Sequence, residues 1–229
     1  MGKFRLIAVL AILATFICYG CGKPRPPLDE IRKDLKGLPN YSVILDDMKE
    51  EGTFLKDYSH KYRIVTAEKT VVMDWRKVPE DYFRRYLPFL GMTIWVKKDG
   101  KEGGSVGPPG YEYVGDKRYG KWNRDSSGRS FWVFYGQYRL FSDLLGGGPL
   151  YRRHYTSYNN YRRANRPYYG PNKEYGTNGS VTKRQKPNFY ARRMSTERAR
   201  KSSFSERVKQ RTGRTRSTFR GRSSYGGGK

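Results

Sequence analysis

The sequence predicts an α+β fold, a small and mostly antiparallel sheet with two or three short helices, followed by a disordered basic tail. Three observations lead to this prediction. Strand-forming runs are joined by short turn signals, and apolar residues recur at helical spacing in short stretches. The composition also changes abruptly after the triple glycine at residues 146–148. A chain of 229 residues is long enough for one such domain with its own hydrophobic core.

The predicted strands are runs of β-branched and aromatic residues bounded by turn residues. A three-residue turn at 67–69 predicts a hairpin, and Asp99-Gly100 is a hairpin dipeptide. Residues 130–135 form the most apolar run of the body and should lie centrally, whereas residues 101–110 read as loop. The predicted strands are residues 41–48, 61–66, 70–75, 92–98, 111–114 and 130–135.

Short helices are predicted between these strands. Apolar residues recur at helical spacing over residues 28–35 and 138–145. Between them, Pro79 suits a first helical position, and the acidic residues at 80 and 81 complement the helix dipole. We therefore expect another helix from Pro79 to Leu87, stopped by the proline that follows.

The composition divides the chain into five predicted parts. The triple glycine interrupts regular structure and predicts the end of the body. After Val181 aliphatic residues nearly vanish, so too little apolar area is left to offset the entropy of ordering. The predicted parts are a signal peptide at 1–20, a lipidated cysteine with a Pro-rich spacer at 21–27, the body at 28–148, a Tyr/Arg-rich extension at 149–175 and a disordered tail at 176–229.

The first twenty-odd residues have the pattern of a secretory signal. A basic start precedes a thirteen-residue apolar run from Leu6 to Cys18, and the small residue Gly20 stands directly before Cys21. This segment resembles the lipobox signal peptide of bacterial lipoproteins. The resemblance implies that the signal is removed and that Cys21 carries acyl chains, palmitate among them, which anchor the protein on the exported side of a bacterial cell membrane or outer membrane.

Three other interpretations of this segment stay open, and one of them is a buried core helix. An uncleaved membrane anchor needs about 20 apolar residues, and seventeen lie between Arg5 and Lys23. The segment also fits an ordinary signal peptide cut at another site. Both cysteines lie in this region, so the predicted body contains no disulfide and no thiol.

The net charge of +26 is concentrated in the C-terminal third. Residues 151–229 contain 22 Lys or Arg and 3 acidic residues, which leaves +7 for residues 1–150. Arginine interleaved with tyrosine suits an anionic partner, either a membrane surface or an anionic envelope polymer. The predicted anion-binding residues are Arg152, Arg153, Arg162, Arg163, Arg192, Arg193, Arg214, Arg216, Arg220 and Arg222.

Nucleic acid is the alternative partner. The Phe219-Arg220-Gly221-Arg222 end resembles RGG-type RNA-binding tails, in which arginine binds phosphate and aromatic rings stack on bases. That function requires the N-terminal segment to be an uncleaved anchor with the body inside the cell. A plain solvated extension is the third interpretation of the tail.

The sequence favours a non-enzymatic protein without cofactor, metal or small-molecule substrate. The two histidines, His60 and His154, stand far apart, and no zinc-ligand spacing, nucleophile elbow or phosphate-binding loop is present. Asp46 and Asp47 are adjacent on a predicted strand, so their side chains should point to opposite faces. We therefore predict a membrane-anchored envelope lipoprotein whose basic tail binds an anionic polymer or membrane.

Overall fold

The computed structural model describes residues 26–52, 55–66, 68–103, 105–146 and 148–217. The chain divides into two compact units, one ending at Gln185 and one beginning at Lys186. The α+β fold class is confirmed. Cys21, the predicted lipidation residue, and Arg220 and Arg222, two of the predicted anion-binding residues, lie outside the described residues.

The first unit contains a six-stranded antiparallel sheet. Its long central strand pairs with its neighbours on both sides, and the strand order is β3-β2-β1-β5-β6 with β4 also paired to β2. The strands are β1 Tyr41–Glu51, β2 Asp57–Val65, β3 Thr70–Val72, β4 Arg76–Val78, β5 Thr93–Lys98 and β6 Lys101–Gly103.

Both predicted hairpins of this sheet are confirmed. Thr66 and Lys69 close the turn between β2 and β3 through a backbone hydrogen bond of 2.9 Å from the Thr66 N–H to the Lys69 carbonyl. Asp99 and Gly100 join β5 to β6, both with left-handed φ angles of 53° and 74°. Two such residues form the type I′ turn that matches strand twist.

Three helices of the first unit occur where the sequence predicts them, one of them at Arg139–Leu144. Helix α1 spans Pro27–Asp34 and buries Leu28 and Ile31. Helix α2 spans Glu80–Tyr86 and buries Tyr82 and Phe83, whose ring centroids lie 5.6 and 5.4 Å from that of His60 on β2. Aromatic packing therefore holds α2 on the sheet.

A second, three-stranded sheet follows in the order β7-β8-β9. Strand β8, the apolar run predicted to be central, is the middle strand of this sheet. The elements of this half are β7 Gly120–Arg124, β8 Ser130–Phe134, α3 Arg139–Leu144, β9 Leu150–Tyr151, α4 Arg152–Arg163 and α5 Ser180–Gln185.

Two local predictions are wrong. Residues 101–110 include strand β6, because the tight turn at Asp99-Gly100 returns the chain directly against β5. Residues 111–113 form a buried 3-10 turn instead of a strand. Gly110 enters this turn with a left-handed φ of 83°, a backbone conformation that leaves the extended path of a strand.

The body does not end at the triple glycine, so the predicted boundary at residue 148 is wrong. One aromatic core contains residues from Ile44 to Val181 and includes Tyr158, Tyr168 and Tyr175 of the predicted extension. The Tyr175 hydroxyl donates to the Leu145 carbonyl at 3.1 Å. Tyrosine supplied apolar area that a count of aliphatic residues misses.

The first unit continues past residue 176, where the disordered tail was predicted to begin. Thr177 and Val181 are buried in the first unit, and the Thr177 N–H donates to the Pro88 carbonyl at 3.0 Å. In the second unit one helix, α6, spans Pro187–Ser217. Arg, Lys, Glu and Ala favour helix locally, and backbone hydrogen bonds within a helix require no apolar core.

Gly110 provides a test of the core. A Cβ atom at this position would lie 2.6 Å from the Phe141 ring, and φ is left-handed. We expect Gly110→Ala to lower the free energy of unfolding by about 2–4 kcal/mol through backbone strain and overpacking, measured by urea denaturation. Gly37→Ala is the control, because a Cβ there meets nothing within 4 Å. Equal stability of the two variants would contradict this packing.

Candidate anion-binding surface

The predicted arginines divide between the two units. Arg152, Arg153, Arg162 and Arg163 all lie on α4 of the body, and all four are exposed. The remaining described ones, Arg192, Arg193, Arg214 and Arg216, lie on α6. The Arg193 Nε atom lies 3.4 Å from Glu197 on that helix.

Helix α4 is oriented by its buried aromatic side. The Tyr158 ring lies 5.4 Å from that of Tyr111 and 5.9 Å from that of Tyr168, centroid to centroid. A Cβ atom on Gly107 would approach the Tyr158 ring to 2.9 Å, so the loop beneath must be glycine for the helix to sit this close. This packing directs the opposite side of α4, with its arginines, to solvent.

The position of two arginines in the first turn of α4 is not explained by helix stability. Arg152 and Arg153 lie at the N-terminus, and no acidic residue occupies that turn. The positive end of a helix dipole disfavours cations by roughly 0.3–1 kcal/mol each. Aromatic contacts partly offset this cost: the Arg152 guanidinium lies 4.6 Å from the Trp122 ring centroid, and that of Arg153 lies 5.5 Å from Tyr151.

A groove of about 430 Å³ runs along the exposed side of α4. Arg152 and Arg163 lie at its two ends, eleven residues apart, which corresponds to about 16 Å along a helix axis. Two aromatic side chains and three neutral polar ones lie between them. We call this feature the α4 groove; it is lined by Gly115, Trp122, Arg152, Tyr155, Thr156, Asn159, Asn160 and Arg163.

The arginines of α4 differ in their pairing from two arginines elsewhere in the first unit. Among the described residues, no carboxylate lies within 4 Å of the four α4 guanidinium groups. By contrast, Arg118 binds Asp99 through two contacts of 2.7 and 2.8 Å, and Arg63 binds Asp46 at 2.8 Å. Within the described part of the chain, no carboxylate therefore neutralises the charge of the α4 arginines.

The two histidines differ in burial and in their neighbours. His60 is fully buried among aromatic rings, and burial lowers its pKa to about 3, so the ring is neutral. His154 is half-buried beside Arg153, whose Nε donates to its Nε2 at 3.2 Å. Burial and that positive charge lower the pKa of His154.

Sequence reasoning missed Glu112. This carboxyl is buried in the 3-10 turn, accepts a hydrogen bond of 2.7 Å from the Ser42 hydroxyl, and lines a cleft beside α4. Burial raises its pKa to about 7, although Ser42, nearby backbone N–H groups and Lys98 oppose that shift. The one feature of the sequence that could have indicated a buried carboxyl is the position of this acidic residue between two tyrosines, Tyr111 and Tyr113.

Glu112 predicts an unusual pH dependence of stability. In the unfolded chain this carboxyl ionises near pH 4.5, and in the folded chain near pH 7. Between these values the folded state retains a proton that the unfolded state has lost, so stability falls as pH rises. We expect a decline of roughly 3 kcal/mol in the free energy of unfolding from pH 4.5 to above pH 7.

The Glu112→Gln variant isolates this contribution. His60 gives the opposite slope, because its lowered pKa makes the unfolded state the better proton binder, but it does so in both chains. The stability of wild type minus that of Glu112→Gln, from urea unfolding across this pH range, should therefore fall with pH. A constant difference would show that the carboxyl titrates normally.

Two further properties concern the described residues alone. None of their helices is both long and apolar enough to cross a membrane. They also contain no group of three or more His, Cys, Asp or Glu side chains placed to hold a metal ion.

Comparisons with known proteins identify no relative. No family model matches the chain, and no curated protein and no solved structure matches it. The body therefore resembles no characterised family, and its function must be argued from its own residues.

Proposed function

We propose that this protein is a non-enzymatic lipoprotein of the bacterial cell envelope that binds an anionic envelope polymer through the α4 groove and its basic C-terminal helix. Acyl chains on Cys21 hold it to the exported side of the membrane or outer membrane. The α4 groove is the observation that carries the proposal, because two arginines that have no carboxylate partner among the described residues lie at the ends of an aromatic and amide-lined surface.

The composition of the groove suits an acidic polysaccharide. Guanidinium groups form bidentate hydrogen bonds with carboxylates and phosphates. Trp122 and Tyr155 offer flat apolar faces for sugar rings, and Asn159 and Asn160 offer both donors and acceptors for hydroxyl groups. A spacing of about 16 Å between the terminal arginines favours an extended polymer over a single small anion.

The C-terminal helix adds charge to this binding. Residues 187–217 contain ten Lys or Arg and two Glu, and each cation close to an anionic surface contributes about 1 kcal/mol. Its predicted contacts are made by Arg192, Arg193, Arg214 and Arg216. The tail arginines Arg220 and Arg222 remain part of the same proposal.

Nucleic acid binding is the second candidate, and the α4 groove also favours it. Trp122 with Tyr155 would stack bases, and Arg152 with Arg163 would bind phosphates, as in surfaces for single strands. The two candidates differ in compartment, because lipidation of Cys21 places the groove outside the cell interior. Protease accessibility of the C-terminal helix in spheroplasts separates them: cleavage from outside supports the envelope function, and protection supports nucleic acid.

The mass of the membrane-extracted protein tests the anchor. We expect wild type to lack residues 1–20 and to carry added acyl mass, and two or more acyl chains give stable membrane attachment. The Cys21→Ala variant should lack that mass and leave the membrane fraction. A wild-type chain that still begins at Met1 would contradict the lipoprotein assignment.

A further inference from the structure

A second cleft lies on the other side of α4, between that helix and the β5–β6 hairpin. Its volume is about 510 Å³, within the range of roughly 300–1,000 Å³ typical of small-molecule sites. Glu112 lines it together with charged residues from both flanking elements, chiefly Lys98, Lys101, Glu102 and Arg162.

Two acidic residues of the cleft are already neutralised. Glu102 accepts from the Arg32 guanidinium at 2.8 Å, and Asp99 forms its two contacts with Arg118. Both pairs are at the protein surface. These carboxylates therefore leave little negative charge for a ligand.

Lys98 is similarly occupied. Its Nζ atom lies 3.1 Å from Asp116 and donates to the Glu112 main-chain carbonyl at 3.2 Å. The second contact helps to fix the turn that carries Glu112. Lys98 is therefore a supporting group of the cleft.

Three charged groups remain for a ligand. Lys101 and Arg162 have no carboxylate within 4 Å among the described residues, and both line the cleft. The Glu112 carboxyl is the only acidic group of the lining that no cation pairs with in that part of the chain. Tyr158 also lines the cleft. Burial and the Glu112 charge raise the pKa of its hydroxyl, and the Arg162 charge opposes that shift.

We propose that this cleft binds a small zwitterion, an α-amino acid or short peptide, with its ammonium group at the Glu112 carboxylate and its carboxylate at Arg162 and Lys101. A simple anion would satisfy the two cations but would lie beside the glutamate. A simple amine would pair with Glu112 but would meet two positive charges. A ligand that carries both groups satisfies both sides, and this inference does not depend on polymer binding by the α4 groove.

The support of Glu112 fits a binding role. The Ser42 hydroxyl, on the central strand β1, is fully buried and lies between Glu112 and the Tyr113 hydroxyl, at 2.7 and 2.9 Å. Hydrogen bonds from the sheet therefore fix the carboxyl orientation. A preorganised acidic group loses less entropy when it binds a ligand than a mobile surface residue does.

Protonation of Glu112 makes the proposed binding pH-dependent. The groups facing it are Ser42 from β1, Tyr113 from its own turn, Lys98 from β5, and Tyr158 with Arg162 from α4. Glu112 titrates near neutral pH, and the ammonium group requires its ionised form. Affinity should rise roughly 20-fold between pH 5.5 and pH 7.5, a range in which a peptide amine, with a pKa of about 8, keeps most of its charge.

The test is calorimetric titration of the full chain with alanyl-alanine, as the L,L and the D,D compound, at about pH 5.5 and 7.5. N-acetyl and C-terminal amide derivatives remove one charge each. We expect at least one dipeptide to bind, each blocked derivative to bind at least tenfold more weakly, and Glu112→Gln to abolish the pH dependence. If neither dipeptide binds at millimolar concentration, the proposal is overturned.

Two arginine variants test the cleft without a change at the buried Glu112, whose substitution can affect folding. Arg162→Gln should weaken dipeptide binding at least tenfold, whereas Arg163→Gln, the adjacent exposed residue that lines the α4 groove instead, should leave it unchanged. Equal effects of the two variants would overturn the cleft as the site. Tight binding of the amide derivative would identify an amine ligand, and tight binding of the N-acetyl derivative an anion, and either result would contradict the zwitterion.

Discussion

A chain in which Arg152 and Arg163 are both replaced by glutamine should lose most of its retention on isolated envelope material at low ionic strength. These residues hold the two ends of the α4 groove and have no carboxylate partner within 4 Å among the described residues. At about 1 kcal/mol for each cation near an anionic surface, the double change corresponds to roughly a 30-fold loss of affinity. Cosedimentation of the purified chain with the envelope fraction measures it.

The control has the same change in net charge. Arg76 on β4 and Arg85 on α2 are exposed and lie on the first sheet and its helix, so Arg76→Gln with Arg85→Gln removes two charges outside the groove. We expect that variant to retain most of its binding. If both double variants lose the same affinity, binding follows net charge, and the groove has no specific role.

Truncation after Gly176 should destabilise the body strongly, whereas truncation after Gln185 should not. Residues 177–185 contact the segment that follows α2. The Thr177 hydroxyl donates to the Leu87 carbonyl and accepts from the Leu90 N–H. Val181 is buried beside Gly146. Loss of one buried valine and several hydrogen bonds should cost at least about 3 kcal/mol.

Thermal unfolding of chains that end at 176, at 185 and at 229 measures this boundary. The chain ending at 185 should unfold at the temperature of the full chain, because the second unit begins at Lys186. It is also the suitable form for separating the α4 groove from the basic helix in binding experiments. Equal melting temperatures for the chains ending at 176 and 185 would show that residues 177–185 add no stability, as expected if the disordered tail began at residue 176.

Much of the first sheet was predictable because its signals are local. The turn at Asp99-Gly100 and the proline with two acidic residues at the start of α2 each determine backbone geometry within a few residues. Residues 111–113 show the limit of such signals. Their two tyrosines suit a strand, but the left-handed Gly110 before them directs the chain into a turn.

The candidate sites depend on contacts between distant residues, which composition does not reveal. The arginine and tyrosine pattern of residues 151–163 led us to predict anion binding, which stays a prediction, and the segment was predicted to lie outside the body. Folding places Trp122 against Arg152 and Glu112 beside Ser42, seventy residues away in sequence. The body was predicted to end at residue 148 in part because the segment that follows is rich in tyrosine, a residue that packs in cores and also occurs in disordered tails.

The most direct test of the central claim, that the α4 groove is an anion-binding surface, is the salt dependence of binding to a purified carboxylated polysaccharide. Each cation that contacts a polyanion displaces bound counterions, so the slope of log affinity against log salt concentration reports the number of contacts. We predict a shallower slope for Arg152→Gln/Arg163→Gln than for wild type, and an unchanged slope for Arg76→Gln/Arg85→Gln. Identical slopes for all three chains would contradict the account.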